Sequence, residues 1–170
     1  MWVAIFSHSG SELASVIETI GREPDHIVTN QFETTKIDKR LRNKIEYMEA
    51  KDIHDWLTAV ADDDPVVTLH GYNRIVPERA LTEKMYNVHP GDTIKYPELR
   101  GKDPQKKALE LGLPTTGVII HQVDEGVDTG ETQMIAVHDI RENISEKDLI
   151  EELRQVAINL WSSFLLHQQI

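Results

Sequence analysis

The sequence contains no cysteine and no long hydrophobic run. Without cysteine the chain has no disulfide framework, no iron–sulfur cluster and no thiolate zinc site. No stretch approaches the ~18 consecutive apolar residues that a membrane span needs, and no basic segment precedes the apolar start. We therefore expect a cytoplasmic protein without a membrane partner. Because domains cluster near about 100 to 150 residues, we expect residues 1–170 to form one domain.

Positive charge is scarce. The chain has 18 Lys and Arg against 29 Asp and Glu, a formal net charge of −11. A field of this sign repels the phosphate backbone of nucleic acids and anionic lipid surfaces. The charge therefore argues against a nucleic-acid partner.

Short β-rich apolar runs alternate with segments in which apolar residues recur at helical spacing. Strands are predicted over residues 2–6, 26–29, 44–48, 65–69, 86–89, 117–123 and 132–138. Helices are predicted after the turn at 7–11 and over 50–61 and 143–170, with a short exposed helix in the charged stretch 34–44. This alternation favours an α/β fold with a mainly parallel twisted sheet, helices on both faces and the C-terminal helix packed on the sheet.

The small polar turn from Ser7 to Ser11 joins the first strand to the first helix. Such a turn exposes backbone N–H groups at the positive end of the helix dipole, where an anion can bind. An ordinary capped turn is the alternative, with Ser9 as N-cap and Glu12 completing a capping box.

Asn87 and His89 stand two residues apart in the predicted strand 86–89, so both side chains face the same space. An amide can hydrogen-bond the oxyanion of a tetrahedral intermediate, and an imidazole can carry the proton of an amine. The pair therefore suits acyl transfer. The alternative is a strand end whose polar groups are simply satisfied.

An acidic, glycine-bearing loop follows the strand that contains His121. Asp128 in this loop can orient or charge-stabilise a histidine, whereas Asp124 and Glu125 are expected to belong to a solvated acidic loop. His89, His121 and Asp128 are acceptable metal ligands. No HExxH-type spacing places two of them on one element, so no metal is expected.

Four motifs in order, SHSGSE, VVTLHGYNRIVP, NVHPGDTIKYPELRG and TTGVIIHQVDEGVDTGE, resemble the folate-dependent formyltransferase family. The resemblance covers roughly Trp2 to Val137 and implies a Rossmann-like fold. It also implies transfer of a formyl group from the co-substrate 10-formyltetrahydrofolate to an amine.

The resemblance assigns three groups of residues. The catalytic residues it implies are Asn87, His89 and Asp128. The folate-binding residues it implies are Arg74, Ile75, Val76, His121 and Asp124. The residues implied to bind the phosphate of the substrate are Ser9, Gly10 and Ser11.

Within the family the resemblance favours glycinamide ribonucleotide as the small acceptor. A nucleotide-linked amino sugar, hydrolysis of 10-formyltetrahydrofolate and a non-catalytic folate-binding role are the alternatives. Three departures from the family pattern bear on the acceptor. Gly91 to Ile94 replace the usual Ser-Leu-Leu-Pro, Glu12 stands where ribonucleotide enzymes carry Asn, and residues 154–159 contain no acidic residue.

Overall fold

A computed structural model describes all 170 residues. Its seven strands, in chain order, are β1 Trp2–Phe6, β2 His26–Thr29, β3 Ile45–Tyr47, β4 Val66–His70, β5 Met85–His89, β6 Thr115–Gln122 and β7 Thr132–Asp139. Its α-helices are α1 Ser11–Ile20, α2 Ala50–Ala59, α3 Pro104–Glu110 and α4 Glu146–His167. No helix is both long and apolar enough to span a membrane.

All strands join one sheet in the order β3-β2-β1-β4-β5-β6-β7. The pairs from β3 to β5 are parallel, while β6 pairs antiparallel with both β5 and β7. The predicted mainly parallel α/β sheet is confirmed. Because β1 lies between β2 and β4, its carboxyl end meets the ends of β4 and β5 at one edge, where such sheets bind ligands.

Helices cover both faces of the sheet, as predicted. Alternate residues of β1 enter two cores, with Trp2 and Phe6 on the side of α1 and α4 and Ile5 on the side of α2. Trp161 of α4 is fully buried in the larger core. The C-terminal helix therefore packs on the sheet through its apolar stripe.

The start of α4 follows the predicted capping pattern. The Asp148 N–H donates to the Ser145 hydroxyl at 3.0 Å, and the helix runs from 146 to 167 instead of the whole of 143–170. Helix α3 was not predicted, because its seven residues carry only two buried side chains and no strong periodicity.

The predicted capping box at α1 is wrong. The N-cap is Gly10, with a left-handed φ of 67°, and the Ser9 hydroxyl accepts only from the Ser11 N–H of its own turn. A Cβ at Gly10 would lie 2.7 Å from Leu41 and 3.0 Å from the Phe6 ring. The close packing of Gly10 against Leu41 and Phe6 therefore places the N-cap at Gly10 instead of Ser9. No local sequence pattern indicates this packing.

The predicted helix over 34–44 is also wrong in extent. Only Thr34–Lys36 forms a 3-10 turn, and the following Ile37 and Leu41 are buried. The Asp38 N–H donates to the Ser9 carbonyl at 2.9 Å. This segment therefore covers the turn before α1 instead of lying exposed, because its two apolar residues enter the core.

Candidate active site

Asn87 and His89 lie on the same face at the carboxyl end of β5, as their spacing predicts. In the antiparallel pairing with β6, Asn87 stands opposite His121. Asp128 comes from the loop between β6 and β7, where its backbone adopts a left-handed φ of 53°. Two strands and one loop thus bring these four side chains together.

Asp128 is the centre of this cluster. Its Oδ2 lies 3.1 Å from His89 Nδ1, and its Oδ1 lies 3.4 Å from His121 Nε2. The Gly101 N–H also donates to Oδ2, at 3.0 Å. Asn87 Nδ2 lies 3.4 Å from His121 Nε2. This contact uses one N–H of the Asn87 amide, and the second N–H remains available.

Backbone carbonyls determine where the histidine protons lie. His89 Nε2 lies 2.7 Å from the Leu99 carbonyl, and His121 Nδ1 lies 2.9 Å from the Gln122 carbonyl. Because a carbonyl only accepts, each of these nitrogens carries a proton. The other nitrogen of each ring faces Asp128, so a further proton taken up by either ring would lie between it and the carboxylate.

Burial lowers the pKa of His89, while the charge of Asp128 and the hydrogen bond to Leu99 oppose that shift. For Asp128, burial would raise the pKa, but the hydrogen bond with His121 and the charge of His89 outweigh it. The pKa of Asp128 is thus below its ordinary value. This carboxylate is therefore ionised at neutral pH, next to an imidazole that titrates below its usual range.

Beside the cluster opens a first cavity of about 400 Å³. It is lined by all five residues predicted to bind folate and by two of the predicted catalytic residues, namely Arg74, Ile75, Val76, His121, Asp124, Asn87 and Asp128. The carboxylate of Asp124 accepts from the Gly126 N–H at 3.0 Å and the Thr129 hydroxyl at 2.8 Å. Asp124 therefore shapes the loop that forms one wall.

Tyr72 also lines this cavity and was not singled out in the sequence. Its hydroxyl lies 3.0 Å from His54 Nε2 on α2. Burial raises the pKa of Tyr72 to about 12, so the hydroxyl is protonated at neutral pH. No sequence signal connects two residues of such different segments, because their contact depends on how α2 packs.

A second cavity, of about 220 Å³, lies on the opposite side of β5. Its wall includes Val88 and Pro90, which flank His89, and Leu153 of the α1 and α4 core. Side chains alternate along a strand, so Val88 faces away from Asn87 and His89. The end of β5 therefore separates the two cavities.

The turn formed by Ser9, Gly10 and Ser11 adjoins the second cavity without lining it. Gly10 is buried, and the Ser11 hydroxyl accepts from Arg154 Nη2 at 3.2 Å. Glu12 and Arg154 both line the cavity. The structure thus places a cation beside this turn, a feature that the sequence pattern does not reveal.

The residue after Pro90 is glycine for a steric reason. A Cβ at Gly91 would lie 3.0 Å from His89 Nε2 and 3.1 Å from Leu99 Cβ. Gly91→Ala should therefore displace the imidazole and lower turnover by about tenfold or more, since small misplacements of reacting groups are costly. Steady-state turnover with thermal unfolding checks this, and Ser163→Ala, at an exposed position of α4, is the control. Unchanged turnover in Gly91→Ala would contradict the assignment.

No group of three histidine or carboxylate side chains has the arrangement of a metal site. The cluster instead pairs a carboxylate with two imidazoles and an amide at the end of a parallel strand, between two cavities. This arrangement defines a class of α/β protein equipped for proton transfer and oxyanion stabilisation at one strand end.

The sequence model of the formyl transferase family matches residues 4–165. The chain therefore belongs to the formyl transferase family. Methionyl-tRNA formyltransferase from Polynucleobacter necessarius subsp. necessarius (strain STIR1) is 32% identical over 119 residues, 66% of this chain and 34% of that protein. The enzyme of the same name from Rickettsia bellii (strain RML369-C) is 31% identical over 107 residues, 61% of this chain and 33% of that protein. The chain thus spans about a third of the length of these relatives.

Solved structures extend the likeness to almost the whole fold. Glycinamide ribonucleotide transformylase 1 from Geobacillus kaustophilus superposes with a TM-score of 0.80 at 26% identity, covering 96% of both chains. Phosphoribosylglycinamide formyltransferase from Streptococcus pneumoniae TIGR4 gives 0.81 at 21% identity, covering 99% of this chain and 98% of that one. The second of these likenesses shows the fold alone.

Proposed function

We propose that the 170 residues form a single catalytic domain that transfers a formyl group from 10-formyltetrahydrofolate to a small amine. The observation that carries the proposal is the cluster of Asn87, His89, His121 and Asp128 at the end of β5, with a separate cavity on each side. Two cavities on either side of the same polar strand end suit a donor and an acceptor that must exchange a group.

The first cavity is proposed to hold the folate. Its apolar wall, formed by Leu69, Ile75, Val76, Val123 and Val127, suits a flat ring system. Arg74 and Lys102 add positive charge. The Arg74 guanidinium bonds only to its neighbour Asn73, so it remains able to pair with a carboxylate of the donor.

In the proposed reaction the neutral amine attacks the formyl carbon, and a tetrahedral anionic intermediate forms. The free N–H of Asn87 donates to the developing oxyanion, while the second N–H faces His121. Because Asp128 is ionised and His89 carries its proton on Nε2, the contact between Nδ1 and Oδ2 can accept one proton, so this pair takes the amine proton and then gives it to the departing folate nitrogen. The C–N bond to the acceptor forms as that to folate breaks.

Glycinamide ribonucleotide is the acceptor we propose, with its phosphate near the turn of Ser9, Gly10 and Ser11. The N-terminus of α1 and the Arg154 guanidinium both favour an anion there. The likeness to the Geobacillus kaustophilus transformylase, at 26% identity over 96% of both chains, supports this choice. The net charge of −11 opposes a tRNA acceptor, despite the methionyl-tRNA relatives.

A donor-dependence assay tests the proposal. The chain is mixed with 10-formyltetrahydrofolate and, in separate reactions, glycinamide ribonucleotide, a nucleotide-linked amino sugar or no amine, and tetrahydrofolate and formate are measured. The proposal expects tetrahydrofolate release that depends on an amine. Formate release without amine would identify a hydrolase, and binding without turnover would indicate a non-catalytic folate protein.

A further inference from the structure

Glu12 is held in one orientation at the wall of the second cavity. Its Oε1 accepts from His70 Nδ1 at 3.0 Å and from the Trp161 indole N–H at 3.1 Å. The His70 side chain is fully buried and its ring lies 4.9 Å from that of Trp161. Two donors from β4 and α4 thus fix a carboxylate that belongs to α1.

The hydrogen bonds behind His70 run in one consistent direction. The Trp2 indole N–H donates to the Thr68 hydroxyl at 3.0 Å, and this hydroxyl lies 3.0 Å from His70 Nε2. The same hydroxyl lies 3.4 Å from the Val3 carbonyl. Because the Glu12 carboxylate accepts, Nδ1 carries the proton between them, and Nε2 can accept from the Thr68 hydroxyl. Each buried polar group of this network has a hydrogen-bond partner, and these bonds hold Glu12 in its orientation.

Arg154 lines the same cavity but does not pair with Glu12. Its contacts are the Ser11 hydroxyl at 3.2 Å and, at 3.5 Å, the exposed carboxylate of Glu151. Apart from Gln105, the rest of the wall is apolar and is formed by Val88, Pro90, Ile150, Leu153 and Ala157. Opposite charges that face one such space without neutralising each other are well placed to bind a ligand with complementary groups.

We infer that the second cavity selects its ligand through these two charges. A hydroxyl or ammonium group of the ligand donates to Glu12, and an anionic group, carboxylate or phosphate, pairs with Arg154. The inference rests on the proposed function in that it names the class of acceptor, an amine that carries both kinds of group. It assigns Glu12 and Arg154 as specificity-determining residues and His70 as a positioning residue.

Binding without folate tests the inference separately from catalysis. The probes are glycinamide ribonucleotide, which has ribose hydroxyls and a phosphate, and its ribonucleoside without the phosphate, both titrated calorimetrically into the whole chain. Arg154→Met should weaken the nucleotide about tenfold or more and leave the nucleoside unchanged, since bonds between charged groups are the strong ones. Glu12→Gln should weaken both probes by about tenfold.

Matched controls change the same charges elsewhere on the surface. Glu146→Gln and Lys147→Met alter exposed residues of α4 that do not line the cavity, and should leave both affinities unchanged. Tighter nucleotide binding by Glu12→Gln would overturn the inference, because the phosphate would then lie beside Glu12. Equal losses for both probes in Arg154→Met, or no binding of either probe to the wild-type chain, would also overturn it.

Substitutions of His70 separate positioning from packing. His70→Asn places an amide N–H near the position of Nδ1, so nucleotide affinity should stay within about threefold of wild type, whereas His70→Leu removes the donor and should weaken it about tenfold. Equal affinities in the two variants would overturn the positioning role. The donor assay remains an independent readout, because formyl transfer can succeed or fail whatever these affinities show.

Discussion

Asn87→Ala is expected to lower turnover by about 10²- to 10³-fold, the usual effect of removing one oxyanion donor. His89→Ala should lose turnover on a similar scale, because general acid–base groups contribute about 10²- to 10⁴-fold. The Asn87 amide has one contact with a protein side chain, at 3.4 Å, so its loss should leave the fold intact. Steady-state kinetics with the accepted amine, together with thermal unfolding, measures both effects.

Asn159→Ala is the matched control for Asn87→Ala. Asn159 is an exposed residue of α4 that contacts Gln155 alone, and its substitution should leave turnover unchanged. Turnover within a few-fold of wild type in both Asn87→Ala and His89→Ala would show that the chemistry lies elsewhere.

Asp128→Asn is expected to abolish most of the turnover while keeping folate affinity. The substitution is nearly isosteric, but it removes the charge that faces two imidazoles at 3.1 and 3.4 Å. We expect a loss of about 10²-fold or more in kcat, since proton transfer depends on that charge. Single-turnover kinetics and equilibrium folate binding separate the two effects.

Asp124→Asn changes a carboxylate in the same loop and serves as the comparison. Asp124 holds Gly126 and Thr129 and does not touch the imidazoles, so its turnover should fall far less. Equal losses in the two variants, or a loss confined to folate binding, would mean that Asp128 is not the catalytic carboxylate.

The pH profile of turnover in Asp128→Asn should shift in a definite direction. The Asp128 charge raises the pKa of His89, against the larger lowering by burial. Without this charge the pKa of His89 should fall further, so the acid limb of residual turnover should move to lower pH.

In the wild type the pKa of Asp128 is lowered from 3.8. Its stabilising contribution is therefore present above the unfolded pKa and is lost as pH falls through the folded one.

Much of the fold and of the candidate cluster followed from the sequence alone. Asn87 and His89 share a face because side chains alternate along any strand. The βαβ pattern required parallel strands whose carboxyl ends meet at one edge, which is where the cluster lies. Both results depend on periodicities of two and 3.6 residues, which are properties of neighbouring residues.

Only the tertiary structure decided the environment of Glu12. The sequence pattern directed this carboxylate into a local capping box, yet it bonds to His70 and Trp161, which lie 58 and 149 positions further along the chain. The contact between Arg154 and Ser11 spans 143 positions. Such pairs depend on how α4 packs against the sheet and α1, because burial of the apolar stripe of α4 sets the positions of the polar groups it carries. Local periodicity does not contain that information.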